Sequence, residues 1–194
     1  MLSSFWFYKN IYTESAANMK KISMKEIYET AESVIIAFLV IAVLILFFFR
    51  VVSVDGASML PNLHNGDRII TTNFFYNPEK GDVVVVDKNT NYGKPLIKRV
   101  IADEGDKIFI DYSTGEVFVN DEKLSENYIY EKINIQNREN IEMIVPDGYL
   151  FVMGDNRNNS MDSRDSAIGI INEKNILGKA LLQIYPLNQL GVVK

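Results

Sequence analysis

Hydrophobic and polar positions divide this chain into two unequal parts. Val34 to Phe49 is an unbroken apolar run, VIIAFLVIAVLILFFF. A surface helix of a globular domain would carry a polar stripe at helical spacing, and this run has none. As a helix the run alone reaches only about 24 Å, whereas a bilayer core calls for about 20 residues. Extension to Ala31 and Val52 supplies the length, with Arg50 able to snorkel to the interface. The pattern therefore predicts a transmembrane helix over 31–52. A cleaved signal sequence would end in small residues. This run ends in Phe47-Phe48-Phe49-Arg50, so it is expected to be retained.

Beyond Val51 the period changes from helical to β. Short apolar runs recur at 68–71, 82–86, 96–101, 107–110, 116–119, 149–153 and 180–185. Gly66-Asp67, Gly81-Asp82, Gly105-Asp106 and Gly154-Asp155 punctuate them, and 111–115 (DYSTG) reads as a hairpin loop between two alternating runs. The prediction is a mostly β domain over 53–194. Residues 121–145 are polar and irregular. They read as a flap within a smaller β excursion near 106–150.

Composition narrows the chemistry. Net charge is −5, which argues against nucleic acid as a partner, because phosphate binding needs a basic face. There is no cysteine, hence no disulfide framework, no thiolate nucleophile and no Cys-based zinc site. With one histidine, His64, a two-His metal motif is also excluded. His64 lies in the polar stretch Pro61–Asp67 and reads as a solvated turn residue. No cofactor and no metal are expected. Lys9, Lys20, Lys21 and Lys25 precede the apolar run, while only Arg50 and the distant Arg68 follow it. By the positive-inside bias, residues 1–30 should be cytoplasmic and the β domain extracytoplasmic, in the cell membrane, single-pass.

Three segments stand out chemically. In Val54-Asp55-Gly56-Ala57-Ser58-Met59-Leu60-Pro61, Gly56 allows a tight turn just before Ser58. A nucleophilic serine there could aim its own N–H at a developing oxyanion, and an ordinary turn serine would look the same. In Leu96-Ile97-Lys98-Arg99-Val100-Ile101, period two puts Lys98 and Arg99 on opposite faces of an apolar strand. A free lysine is only about 0.4% neutral at pH 8. Burial lowers its pKa by up to several units and makes it a usable base. On the residues alone, an edge strand with both charges solvated is the slightly better reading. The third segment is Gly154-Asp155-Asn156-Arg157-Asn158-Asn159-Ser160-Met161-Asp162-Ser163-Arg164. It is either a solvated loop or a charge-assisted network that orders a site.

Taken in order, the apolar helix, Ser58-Met59-Leu60-Pro61, the strand 82–86, Lys98-Arg99-Val100-Ile101 with Gly105-Asp106-Lys107, and the box 154–164 resemble type I signal peptidases of the compact bacterial kind. The resemblance implies a signal-peptidase-type β protease domain. It implies a membrane-bound serine endopeptidase that removes signal peptides from exported preproteins through a Ser/Lys dyad and an acyl-enzyme. Ser58 matches the nucleophile and Lys98 the general base. Ser160 matches the serine that orients the lysine, and Asp162 and Arg164 match a supporting pair. In the family that the chain resembles, the nucleophile's own N–H forms the oxyanion hole. Some members add a hydroxyl at the position held here by Gly56. Asn62, where the family usually has Thr, and Ala102-Asp103-Glu104 also depart from its pattern. The implied partners are signal peptides and the lipid bilayer; the oligomeric state stays open. Two rivals lack support in the residues. A self-cleaving repressor-type protease would carry a DNA-binding helical domain. A catalytically weak homologue acting as a pilus-assembly helper would lack the serine or the lysine.

Overall fold

The structure is a computed structural model and describes residues 23–74, 76–88 and 92–193. Lys9, Lys20 and Lys21 of the expected cytoplasmic segment lie outside the described residues. Helix α1 spans Met24–Phe48. A reciprocal capping box that the sequence reading overlooked starts it: Ser23 N–H donates to Glu26 Oε2 at 3.0 Å, and Glu26 N–H to Ser23 Oγ at 3.3 Å. None of its residues is buried, and it is long and apolar enough to cross a bilayer. The helix begins earlier than predicted and also stops earlier than Val52. The reason is pairing. Phe49–Ser53 forms strand β1, whose backbone bonds antiparallel to β2, Arg68–Thr72. A ladder partner outcompetes continued helix there, because either one satisfies the same N–H and C=O groups.

The strands that follow are β3 (Val83–Val86), β4 (Leu96–Ala102), β5 (Lys107–Asp111), β6 (Glu116–Val119), β7 (Glu122–Lys123), β8 (Ile141–Ile144), β9 (Tyr149–Met153), β10 (Ile171–Asn172), β11 (Ile176–Tyr185) and β12 (Gly191–Val192). The main sheet runs β1-β2-β11-β3-β4-β9-β10, with β12 added to β11. The second sheet runs β7-β6-β5-β8 and is the expected excursion. The polar stretch 121–145 predicts irregular chain, yet β8 pairs with β5 from Ile141↔Ile110 to Ile144↔Lys107. Its signal was an alternation two pairs long. Ile141 and Met143 pack on the core, while Glu142 and Ile144 face outward.

Among the described residues, three apolar clusters hold the β domain. One joins β5, β6 and β9 through Ile108, Ile110, Val117, Phe151 and Met153. A second gathers Val84, Val86, Val100, Leu150 and Val152. The third seats Met59 and Leu63 against Val54, Ile69, Val83, Val85 and Ala180. The solvated-edge reading of the Lys98-Arg99 strand is overturned. β4 lies between β3 and β9, and both basic residues are 2% exposed.

Candidate active site

Ser58 stands on the loop between β1 and β2. Gly56 turns that loop at φ +95°, a conformation that L side chains rarely adopt. Its N–H is taken by Asn65 Oδ1 at 2.9 Å, so Gly56 shapes the turn and offers no spare donor. The residues after Ser58 are anchored rather than loose. Met59 and Leu63 are 1% exposed in the core, and the Leu63 N–H bonds the Met59 carbonyl at 2.9 Å. Burying those two side chains fixes where Ser58 can be.

From the facing strand, Lys98 Nζ donates to Ser58 Oγ at 2.7 Å. The register that brings it there pairs Lys98 with Val84, itself fully buried. Burial pushes the lysine down to about 8, the Asp162 charge partly opposes this, and Arg164 adds to it. An amine poised there spends part of its time neutral near neutral pH, and a neutral amine can accept a hydroxyl proton. His64, by contrast, is exposed. Its backbone N–H bonds Asp67 Oδ2 at 2.7 Å, and it makes no bond to Ser58 among the described residues.

The box 154–164 is not a solvated loop. Asp155, Asn156, Arg157, Asp162, Ser163 and Arg164 are all buried. Asp162 accepts both Arg164 Nε and Nη2 at 2.8 Å and the Gly154 N–H at 2.9 Å. Burial alone would raise this carboxyl, but the bonds to Arg164 outweigh it and hold it below the usual carboxylate range. Asp162 therefore stays charged beside Lys98 and limits how far the lysine falls. The Ser160 hydroxyl is buried and faces Asp162, and among the described residues it makes no aligned hydrogen bond. Gly154 is needed for closeness: a Cβ there would strike Ser160 and the Ser58 carbonyl.

Sequence reasoning missed a second layer. Asp155 is gripped by Arg99 Nε at 2.8 Å and Nη2 at 2.6 Å. Asn62 Nδ2 donates to Asp155 Oδ2 at 2.7 Å and to the Tyr128 carbonyl at 2.6 Å. The Arg99 guanidinium lies 4.1 Å over the Tyr128 ring, and Glu126 pairs with buried Arg157. The segment 126–130 is thus strapped onto the site by polar side chains. Its only sequence signal was a scatter of Glu and Tyr in a polar stretch. The departure at Asn62 has a structural use, since a threonine hydroxyl carries one donor where this amide supplies two.

A cleft of about 390 Å³ opens at Ser58 and Lys98. Val52–Asp55 line it on one side and Lys94–Ile97 on the other. Among the described residues, no group of three or more His, Asp or Glu side chains could hold a metal ion.

Comparison with known proteins identifies the family. The family described as "Signal peptidase, peptidase S26" matches residues 27–185. The chain belongs to this family. It is a serine peptidase, a hydrolase. Signal peptidase I of Bacillus licheniformis is 33% identical over 92% of this chain and 97% of its own length. Signal peptidase I T of Bacillus subtilis (strain 168) is 32% identical over 96% of this chain and 98% of its own. The solved signal peptidase I of Enterococcus faecalis V583 overlaps 54% of this chain and 97% of its own at 24% identity and a TM-score of 0.45. In this family member, the predicted residues Ser58, Lys98, Asp162 and Arg164 come together in one polar patch, buried except for the half-buried Ser58, with Ser160 beside it and Gly56 shaping the turn before it.

Proposed function

We propose that this peptidase cleaves signal peptides from exported preproteins, with Ser58 as nucleophile and Lys98 as general base. One observation carries the reading: a nearly fully buried lysine, pushed down to about 8, donates to a serine hydroxyl at 2.7 Å on the wall of an open cleft. Neutral Lys98 takes the Ser58 proton while Oγ attacks the scissile carbonyl. The C–N bond then breaks, the leaving amine takes that proton from the lysine, and an acyl ester remains on Ser58. Lys98 next takes a proton from water, the hydroxide attacks the ester, and the serine regains its proton.

The cleft suits an extended peptide. β1 is the outer strand of its sheet, and β9 pairs with β4 only from Arg99 onward. Both 52–55 and 96–98 can therefore bond a peptide laid between them, as in strand addition. Small side chains before the cut would enter the apolar part of the cleft near Met59 and Val85. Helix α1 supports anchorage in a bilayer, and the lysines before it support a cytoplasmic N-terminus with the β domain outside. The domain boundaries proposed are a segment up to Ser23, the α1 span, and a protease domain from Phe49 that carries the second sheet as its excursion.

The test is cleavage of a preprotein with an A-x-A site by the full chain in detergent. Ser58→Ala should abolish turnover and remove the covalent adduct formed with a serine-directed β-lactam or phosphonate. Near-normal turnover by that variant would end the assignment. Protease added to intact spheroplasts should reach the β domain; protection there would reverse the orientation.

A further inference from the structure

Asn156 touches the backbone on both sides of Ser58. Its Nδ2 donates to the Ala57 carbonyl at 3.1 Å, and its own N–H donates to the Ser58 carbonyl at 3.0 Å. The side chain is not a surface accident, for the residue is only 7% exposed.

The Ala57 carbonyl and the Ser58 N–H belong to one peptide unit. That unit is trans, since the two cis bonds of the described chain are at Pro61 and Pro186. In a planar trans peptide the C=O and N–H vectors point in opposite directions. A donor that holds the carbonyl on one side therefore aims the N–H at the other. Leu60 N–H adds a second, longer bond to the same carbonyl at 3.3 Å. The Ser58 N–H makes no hydrogen bond among the described residues and is left for a ligand. Bonding the carbonyl also polarises the peptide and strengthens its N–H as a donor. The bond from Asn156 N–H fixes the next peptide, so Ser58 is clamped at both ends.

We infer that Asn156 is a positioning residue for the oxyanion donor: by holding the Ala57 carbonyl it aims the Ser58 N–H at the oxygen of the tetrahedral intermediate. The inference rests on the reading of Ser58 as nucleophile. It also answers the question raised by Gly56, which lacks a hydroxyl and whose N–H is occupied. With no second donor from that position, the aim of the single N–H matters more.

The experiment compares the full-length enzyme with Asn156→Ala and Asn156→Asp. Both variants keep the backbone bond to Ser58 and lose the amide donor; the second also sets a carboxylate against the Ala57 carbonyl. Removal of a whole oxyanion donor costs about 100- to 1000-fold in kcat, so misdirecting one should cost about 10- to 100-fold, with KM nearly unchanged. A peptide aldehyde ending in Ala-x-Ala and the corresponding peptide alcohol give the decisive readout. The aldehyde forms an oxyanion on Ser58 and the alcohol does not. The expected result is that aldehyde affinity falls in step with kcat while alcohol affinity stays within twofold, which also shows that the cleft is still folded. Equal loss for aldehyde and alcohol, or kcat within twofold of the parent, overturns the role of Asn156. Ser58→Ala run alongside separates the two ideas: if it keeps cleavage and aldehyde preference, the reading of Ser58 fails, and the inference fails with it for that reason.

Discussion

Arg99 follows Lys98 in the chain, points to the opposite face of β4, and grips Asp155 with two parallel bonds of 2.8 and 2.6 Å. Both partners are almost fully buried, at side-chain exposures of 3% and 0%. Arg99 also donates to the Gly81 carbonyl at 2.7 Å. The pair ties the strand that carries Lys98 to the loop that carries Asn156 and Asp162. Asp155→Ala should therefore cost about 3–5 kcal/mol, because it leaves a buried guanidinium without its counter-charge. Arg99→Lys should recover little of the function, since an ammonium cannot reproduce the fork. Urea unfolding measures the first effect and preprotein cleavage the second. A loss under 1 kcal/mol for Asp155→Ala would mean that the pair is solvated in practice.

Activity should rise with pH through about 8, the value to which burial lowers Lys98. Only the neutral amine can accept the Ser58 proton, so at pH 7 about a tenth of the enzyme is competent. Lys98→Arg should be inactive at every usable pH, because a guanidinium keeps its proton. His64→Ala should keep most activity, as the imidazole is exposed and makes no bond to Ser58. An inactive His64→Ala beside an active Lys98→Ala would overturn the mechanism.

The same lysine weakens the fold. Its pKa is depressed in the folded chain, so between about 8 and 10.5 the unfolded chain binds more protons and stability climbs with pH. The gain is complete above the free-lysine value and is lost as pH falls to about 8. Its size is ~3 kcal/mol by the shift per pH unit. Lys98→Met should flatten this dependence and leave the protein at least as stable as the parent at pH 7. Denaturant titrations from pH 7 to 10.5 would show it, and parallel pH slopes for the two proteins would refute it.

Gly154→Ala should lower kcat by about 100-fold. A Cβ there collides with the Ser58 carbonyl and the Ser160 side chain, and displacements near 1 Å at a catalytic group cost about that much. Overpacking of this kind costs a further 1–3 kcal/mol in stability, read by thermal unfolding. Unchanged kcat would show that the loop can yield without moving Ser58.

The amino-acid order by itself determined those features whose cause is local. The apolar run dictates a helix that cannot be a globular surface helix. Short apolar runs between turn signals mark most of the main strands, and β6 and β9 carry the predicted bounds, 116–119 and 149–153. The scarcity of histidine and absence of cysteine leave few chemistries, and the motif order points to the family that residues 27–185 match. Tertiary structure alone decided what depends on distant partners. Whether Lys98 and Arg99 are solvated turns on what packs against each face of β4, the Ser58 loop at one side chain and Asp155 at the other, and a strand does not reveal its neighbours. Helix α1 stops at Phe48 because β2 offers Phe49–Ser53 a ladder, from residues well downstream. The 2.7 Å bond between Ser58 and Lys98, and the bond of Asn156 to the Ala57 carbonyl, join groups 40 and 99 positions apart. Composition and period describe each segment's own preferences; burial, charge pairing and the aim of a single N–H are set only when the segments pack.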